Sequence, residues 1–314
     1  MQLLPSQFQT VKKWIYRHAR PLDLARWQYH FENGSREAVL KALAAYQNED
    51  GGFGNALEAD SWNPHSSPMV SWVATELLDE LNEADRELML VRELLRYLEE
   101  SLDYDEGYWY GMLPGNNAYP HASWWTYKDD AAVKAMWGYN PTIALAGFVL
   151  CYARHNSGLW KTCAAIAQKA VNTYLAGPLL DEMHEAGCFV RFFEYCQKGD
   201  IADLVDMTAL QAKLSEQAAY SVTQDTSCWQ TAYVCRPSSF LNSPKSAFYP
   251  AVKTAAQYEA AFIIESINKD GVWDVTWNWE GYADTWPVAR TWWQVDLALR
   301  YMLYLKNFDR IAQN

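Results

Sequence analysis

One short pattern occurs twice in this chain: Asn48-Glu49-Asp50-Gly51-Gly52-Phe53 and Asn268-Lys269-Asp270-Gly271-Val272-Trp273. Both copies share Asn-x-Asp-Gly-x-aromatic, and each follows an apolar helical run. The Asp carboxylate is placed to accept from nearby backbone amides, and the Gly can take positive φ without steric penalty. The aromatic is expected to fold back onto the helix that has just ended. Further copies can be aligned. Glu106-Gly107-Tyr108-Trp109 follows 56 residues after Asp50, and a degenerate Ser157-Gly158-Leu159-Trp160 follows 51 residues later. One more step predicts a copy near position 213 that has lost its signature. A period of roughly 55 fits one helix pair with its connections, which makes about five to six pairs for the whole chain.

Gln47 followed by Asp50-Gly51-Gly52-Phe53, and Asp270-Gly271-Val272-Trp273, resemble the Gln-Trp-type repeats of squalene cyclases and protein prenyltransferase β-subunits. The resemblance implies an all-α fold of the α/α-toroid type. Such a fold is a closed ring of about five to six helix pairs around a central cavity, with residues 1–314 forming one domain. More narrowly, Glu58-Ala59-Asp60, Asn63-Pro64, His121-Ala122-Ser123-Trp124-Trp125, Asn140-Pro141 and the Trp-rich tail resemble an uncharacterised bacterial group with such repeats. That resemblance supplies no activity.

Composition narrows the partners. Half of the residues are apolar, enough for a large core, and the formal net charge is −12. That charge argues against nucleic-acid phosphate or anionic lipid as a partner. No apolar run reaches the roughly 18 residues of a membrane span. The N-terminal Met1-Gln2-Leu3-Leu4-Pro5 lacks the basic and apolar regions of a signal peptide. The six cysteines form no Cys-x-x-Cys pair and read as reduced thiols of a cytoplasmic protein. The chain holds 16 Trp and 20 Tyr. Wedging helix pairs accounts for Trp109, Trp160 and Trp273, but accounts less well for adjacent or alternate Trp such as Trp124-Trp125, Trp277, Trp279 and Trp292-Trp293.

Along the chain, helical spacing and start signals predict helices and no strand. Ser35 and Ser67-Pro68 read as helix starts. Further helices are predicted from Asn140-Pro141 to His155, from Trp160 to Leu175, from Leu179 to Cys196, from Ile201 to Ala219, from Ala251 to Ile267 and after Trp286-Pro287. Four irregular stretches interrupt them: 55–67, 107–129, 220–249 and 274–286. Loops of that length in a compact domain are usually functional or disordered, and their aromatic content argues against disorder.

These stretches carry the candidate chemistry. Glu58 and Asp60 are candidate acids, because a carboxyl beside indoles has a raised pKa. His121, before Trp124-Trp125, is a candidate proton shuttle. Trp62, Trp124 and Trp125 are candidate ligand contacts, as are His184 and Glu185 on an otherwise aromatic helix. Asp225, Trp277, Trp279, Tyr282 and Trp286 complete that set. The resemblance implies two further sites, and the sequence departs from both. Class II terpene cyclases protonate an alkene through Asp-x-Asp-Asp, which is absent; Asp129-Asp130 is the nearest fragment and reads as a helix cap. Prenyltransferases bind zinc through Asp, Cys and a later His. Asp225 and Cys228 are present, but no His follows His184. No metal and no cofactor are therefore expected.

The functional expectation is a terpenoid-cyclase- or prenyltransferase-like toroid that binds an isoprenoid-like ligand in an aromatic-lined cavity. There, cation–π attraction would stabilise carbocations in acid-initiated cyclase or isomerase chemistry. The alternatives are a carbohydrate-active α/α-barrel enzyme (a glycosidase, lyase or epimerase), in which Trp stacks on sugars and paired carboxylates do acid–base work, and a non-catalytic binding toroid.

Overall fold

The computed structural model describes residues 1–81, 85–101, 104–105, 107–199 and 201–312. It is nearly all helical. The helices are α1 (Pro5–His18), α2 (Pro21–Phe31), α3 (Arg36–Ala44), α4 (Pro68–Glu80), α5 (Met89–Glu100), α6 (Asp130–Trp137), α7 (Thr142–Tyr152), α8 (Gly158–Ala176), α9 (Met183–Lys198), α10 (Met207–Ser221), α11 (Tyr249–Glu265) and α12 (Trp286–Asn307). Among the described residues no helix is long and apolar enough to cross a membrane.

The expectation of no strand is corrected by a two-residue hairpin, β1 (Tyr104–Asp105) against β2 (Tyr108–Trp109). Strands this short show no alternation to detect. The Trp109 amide donates to Thr142 Oγ1 at 2.9 Å, and Thr142 Oγ1 donates to the Trp109 carbonyl at 3.2 Å, which fixes β2 to the first turn of α7. The stretch Ile201–Ala219 is likewise not one helix. A 3₁₀ turn at Ala202–Leu204 precedes α10, whose start is set by Asp206 Oδ1 accepting from the Ala209 amide at 2.9 Å. Position 213, where a lost repeat turn was expected, falls inside α10.

Chain contacts define two compact units. One comprises residues 1–43 and 218–314, and the other residues 44–217. The second unit is organised on α7, every residue of which is buried except the half-buried Cys151. It packs against α8 and α9. Gly147 permits the close approach to α9, because a Cβ there would lie 2.8 Å from the Tyr195 ring. The first unit has its own core, including Trp27, Val295, Leu299, Met302 and Tyr304. Its two ends are stitched by a parallel bridge between Leu3 and Ile311.

The repeat turns have the expected conformation. Gly51, Gly107 and Gly271 take φ of +92°, +94° and +86°; Glu106 lies outside the described residues. Two of the aromatics, Trp273 and Trp160, fold back onto the preceding helix. The Trp273 indole N–H donates to the Ile263 carbonyl at 2.7 Å, and that of Trp160 to the Leu150 carbonyl at 3.2 Å. Each bond reaches back ten residues, so the degenerate copy at Ser157 is geometrically a copy, although its Gly158 begins α8 directly.

Candidate functional site

The long loops 55–67 and 107–129 lie in the same unit and are joined backbone to backbone. Ser61 and His121 form an antiparallel bridge. The Trp62 amide donates to the Pro120 carbonyl and the Ala122 amide to the Asp60 carbonyl, both at 2.9 Å. Asp60 and His121 are therefore neighbours, and both are buried with Glu58. The Glu58 carboxylate accepts from the Asp60 amide in a short bond. His121 is engaged at both ring nitrogens. Nδ1 faces the Tyr119 carbonyl at 2.6 Å and Nε2 faces Thr126 Oγ1 at 3.1 Å. A carbonyl only accepts, so Nδ1 carries a proton, and the Thr126 hydroxyl partners Nε2. Asn63 and Asn116 join the loops again at 3.1 Å, and the Trp62 indole N–H bonds the Ala59 carbonyl at 3.0 Å.

This knot leads into an aromatic seam. Trp125, buried, stacks on Trp137 at the end of α6, with centroids 5.0 Å apart and planes within 13°. Trp124 is half-buried. Next to Trp137, Gly138 has φ +52°, and a Cβ there would meet the Glu185 carboxylate at 2.3 Å. Glu185 Oε1 accepts from the Tyr139 amide at 2.8 Å. Tyr139 stacks on Tyr108 at 4.9 Å and meets Phe189 edge-on at 6.1 Å. Phe189 in turn stacks on Tyr174 at 4.6 Å. Lys134 lies over the Tyr108 and Tyr110 rings. Burial pushes the Glu185 carboxyl above its ordinary value, the Tyr139 amide opposes this, and the nearby Glu182 adds to the rise. His184, on the same first turn of α9, is half-buried, its Nε2 3.9 Å from Glu182 Oε1.

The other candidates lie in the unit of residues 1–43 and 218–314. Asp225 is exposed and caps a single 3₁₀ turn, accepting from the Ser227 hydroxyl and from its amide at 3.0 Å. Those two bonds hold its carboxyl below the usual range. Trp279 is buried and meets Tyr282 at 6.3 Å and Trp286 at 5.7 Å. Trp277 contacts Tyr233 and Trp293 edge-on.

Sequence reasoning missed a charged cluster between α4 and α9. Arg191 donates to Glu76 through Nε and Nη2, the shorter contact being 2.7 Å, and through Nη1 to Asp79 at 3.0 Å and Glu194 at 2.6 Å. Lys198 pairs with Asp79 at 2.8 Å. The only signal was the pair of polar residues, Arg191 and Glu194, three apart on an aromatic helix.

Each unit also carries an open groove. One of about 600 Å³ runs between α9 and α10, lined by Phe193, Cys196, Met207 and Gln211. Another of about 660 Å³ is lined by Met1, Leu4, Thr10 and Ile264. None of the candidate residues lines either groove. Among the described residues, no three His, Cys, Asp or Glu side chains gather as a metal site.

No protein-family model matches this chain, and neither does any curated protein or solved structure.

Proposed function

We propose that this chain binds a hydrophobic, isoprenoid-like ligand at the aromatic seam of residues 44–217, and that its helix pairs belong to a ring of the α/α-toroid kind. The observation that carries the reading is the seam itself. Stacked indoles (Trp125, Trp137) and phenols (Tyr108, Tyr139) adjoin one half-buried carboxyl, Glu185. Pockets combine apolar walls with few polar groups in this way. Electron-rich ring faces favour a developing positive charge, and a carboxyl with raised proton affinity suits an acid. Glu185 is preferred to Glu58 as the acid because it adjoins the stacked rings; each carboxylate accepts from a backbone amide, that of Tyr139 and that of Asp60. Asp60 and His121 act here by holding the two loops that carry Trp62, Trp124 and Trp125.

The carbohydrate reading has one observation in its favour: Tyr282 is 43% exposed beside Trp279 and Trp286, with exposed Glu280 and Asp284 near it in the chain. Thermal shift with farnesol, squalene and an oligosaccharide panel separates the two. Farnesol or squalene should raise the midpoint by several degrees, and Trp137→Ala should remove that rise. A rise with oligosaccharides alone, or with nothing in the panel, overturns the proposal.

A further inference from the structure

We propose that the seam between α4 and α9 is a binding site for an organic cation, a primary ammonium carried on an apolar body, with Glu194 as its counter-ion. The site is separate from the aromatic seam, and the inference does not depend on the isoprenoid reading.

Charge counting comes first. Three carboxylates (Glu76, Asp79, Glu194) surround two cations (Arg191, Lys198), which leaves one negative charge over when Glu194 is ionised. The Arg191 fork is already engaged by the chain's own carboxylates, so it does not offer itself to a phosphate or a carboxylate ligand. Asp79 has both Arg191 and Lys198, and Glu76 holds two guanidinium nitrogens. Glu194 has Arg191 Nη1 alone among these cations, and its side chain is 38% exposed. It is the carboxylate that an incoming cation can reach.

A second, independent feature is the next residue of α9. The Tyr195 side chain is 1% exposed, and its hydroxyl has no hydrogen-bond partner. Its surroundings include the charges of Glu76, Asp79 and Arg191, and burial pushes its own ionisation far up. The phenol thus stays neutral, and its oxygen can accept from an ammonium. Buried polar groups are ordinarily paired, so an unpaired phenol beside an ion cluster marks a missing polar partner. The apolar body has a surface to rest on, since Trp72 and Val73 lie one turn before Glu76 on α4 and are half-buried.

The groups facing Glu194 are Glu76 and Asp79 from α4 and Arg191 from its own helix. Burial and the two carboxylates push the Glu194 carboxyl up to about 7, and Arg191 opposes them. Tyr152 and Cys151 of α7 adjoin Lys198 and Asp79 at the far side of the cluster. In the folded chain Glu194 therefore holds its proton to higher pH than in the unfolded chain. That contribution to stability is complete below the unfolded value and is lost as pH rises through about 7. An ammonium bound at Glu194 must displace this proton.

The test is calorimetric titration of the whole chain with n-hexylammonium, with hexan-1-ol as the neutral probe of equal body. At about pH 8 the amine should bind about tenfold more tightly than the alcohol, and that advantage should shrink about tenfold by about pH 5.5. Glu194→Gln should abolish the difference between the probes. Tyr195→Phe, which removes only the phenol oxygen, should weaken the amine and leave the alcohol unchanged. Equal binding of the two probes, no binding of either, or an amine preference that survives Glu194→Gln would show that the cluster only clips α4 to α9.

Discussion

The turns at Asp50 and Asp270 share one backbone and are fastened by different side chains. In both, an amide closes the loop across four residues: Asn48 to the Gly52 carbonyl at 2.9 Å, and Asn268 to the Val272 carbonyl at 2.8 Å. In both, the positive-φ Gly donates to the Asn carbonyl. At the first turn Asp50 does the gripping, accepting from the Gly52 amide at 3.0 Å and from the Ser66 hydroxyl at 2.7 Å. Asn48 is thereby free to reach across the loop to Pro64 and Ser66. At the last turn Asn268 grips instead, its Oδ1 accepting from the Asp270 and Val272 amides, while Asp270 itself is exposed. The same motif therefore does two jobs: the first copy organises the loop of Glu58 and Asp60, and the last fastens its own turn to the preceding helix through Trp273.

Substitutions separate the two turns. Gly51→Ala should be the most damaging, because its Cβ would lie 2.1 Å from the backbone oxygen of Glu93 in α5. With the strain of positive φ, a loss of about 3 kcal/mol or more is expected in urea unfolding. Gly271→Ala would place its Cβ 2.3 Å from the Thr10 methyl, a side-chain clash on top of the strain of positive φ, so a smaller loss of about 2 kcal/mol is expected. If the two cost the same, the first turn is not the tighter one. Trp273→Phe and Trp160→Phe each remove one indole donor from a helix carbonyl and should each cost about 1–2 kcal/mol. Unequal losses would argue against treating Ser157 as a true copy. The smallest effects concern the carboxylates. Asp50→Ala should cost about 1 kcal/mol, whereas Asp270→Ala should stay within about 0.5 kcal/mol. Asn268→Ala should take the larger share at the last turn.

Features set by neighbours in the chain were legible. Ser67 accepts from the Val70 amide at 3.2 Å and Asp129 from the Ala132 amide at 2.8 Å, as helix starts do. The positive-φ glycines and the returning aromatics were legible for the same reason. The exchange of roles between Asp and Asn was not, because either side chain can cap such a turn. Asp60 and His121 were named together as candidates, but the bridge between Ser61 and His121 that joins their loops has no local signal in the chain. The Arg191 cluster escaped altogether, since Arg191 and Glu76 are 115 residues apart and no local pattern links them.

The burial of α7 on every side has a consequence for how the chain opens. A helix with no solvent face cannot fray outward alone, because each turn that loosens must also uncover α8 or α9. Its amides should therefore be among the slowest in residues 44–217 to exchange hydrogen for deuterium. A ligand that stiffens only the loops would slow exchange around Asp60 and His121 and leave that inner clock unchanged.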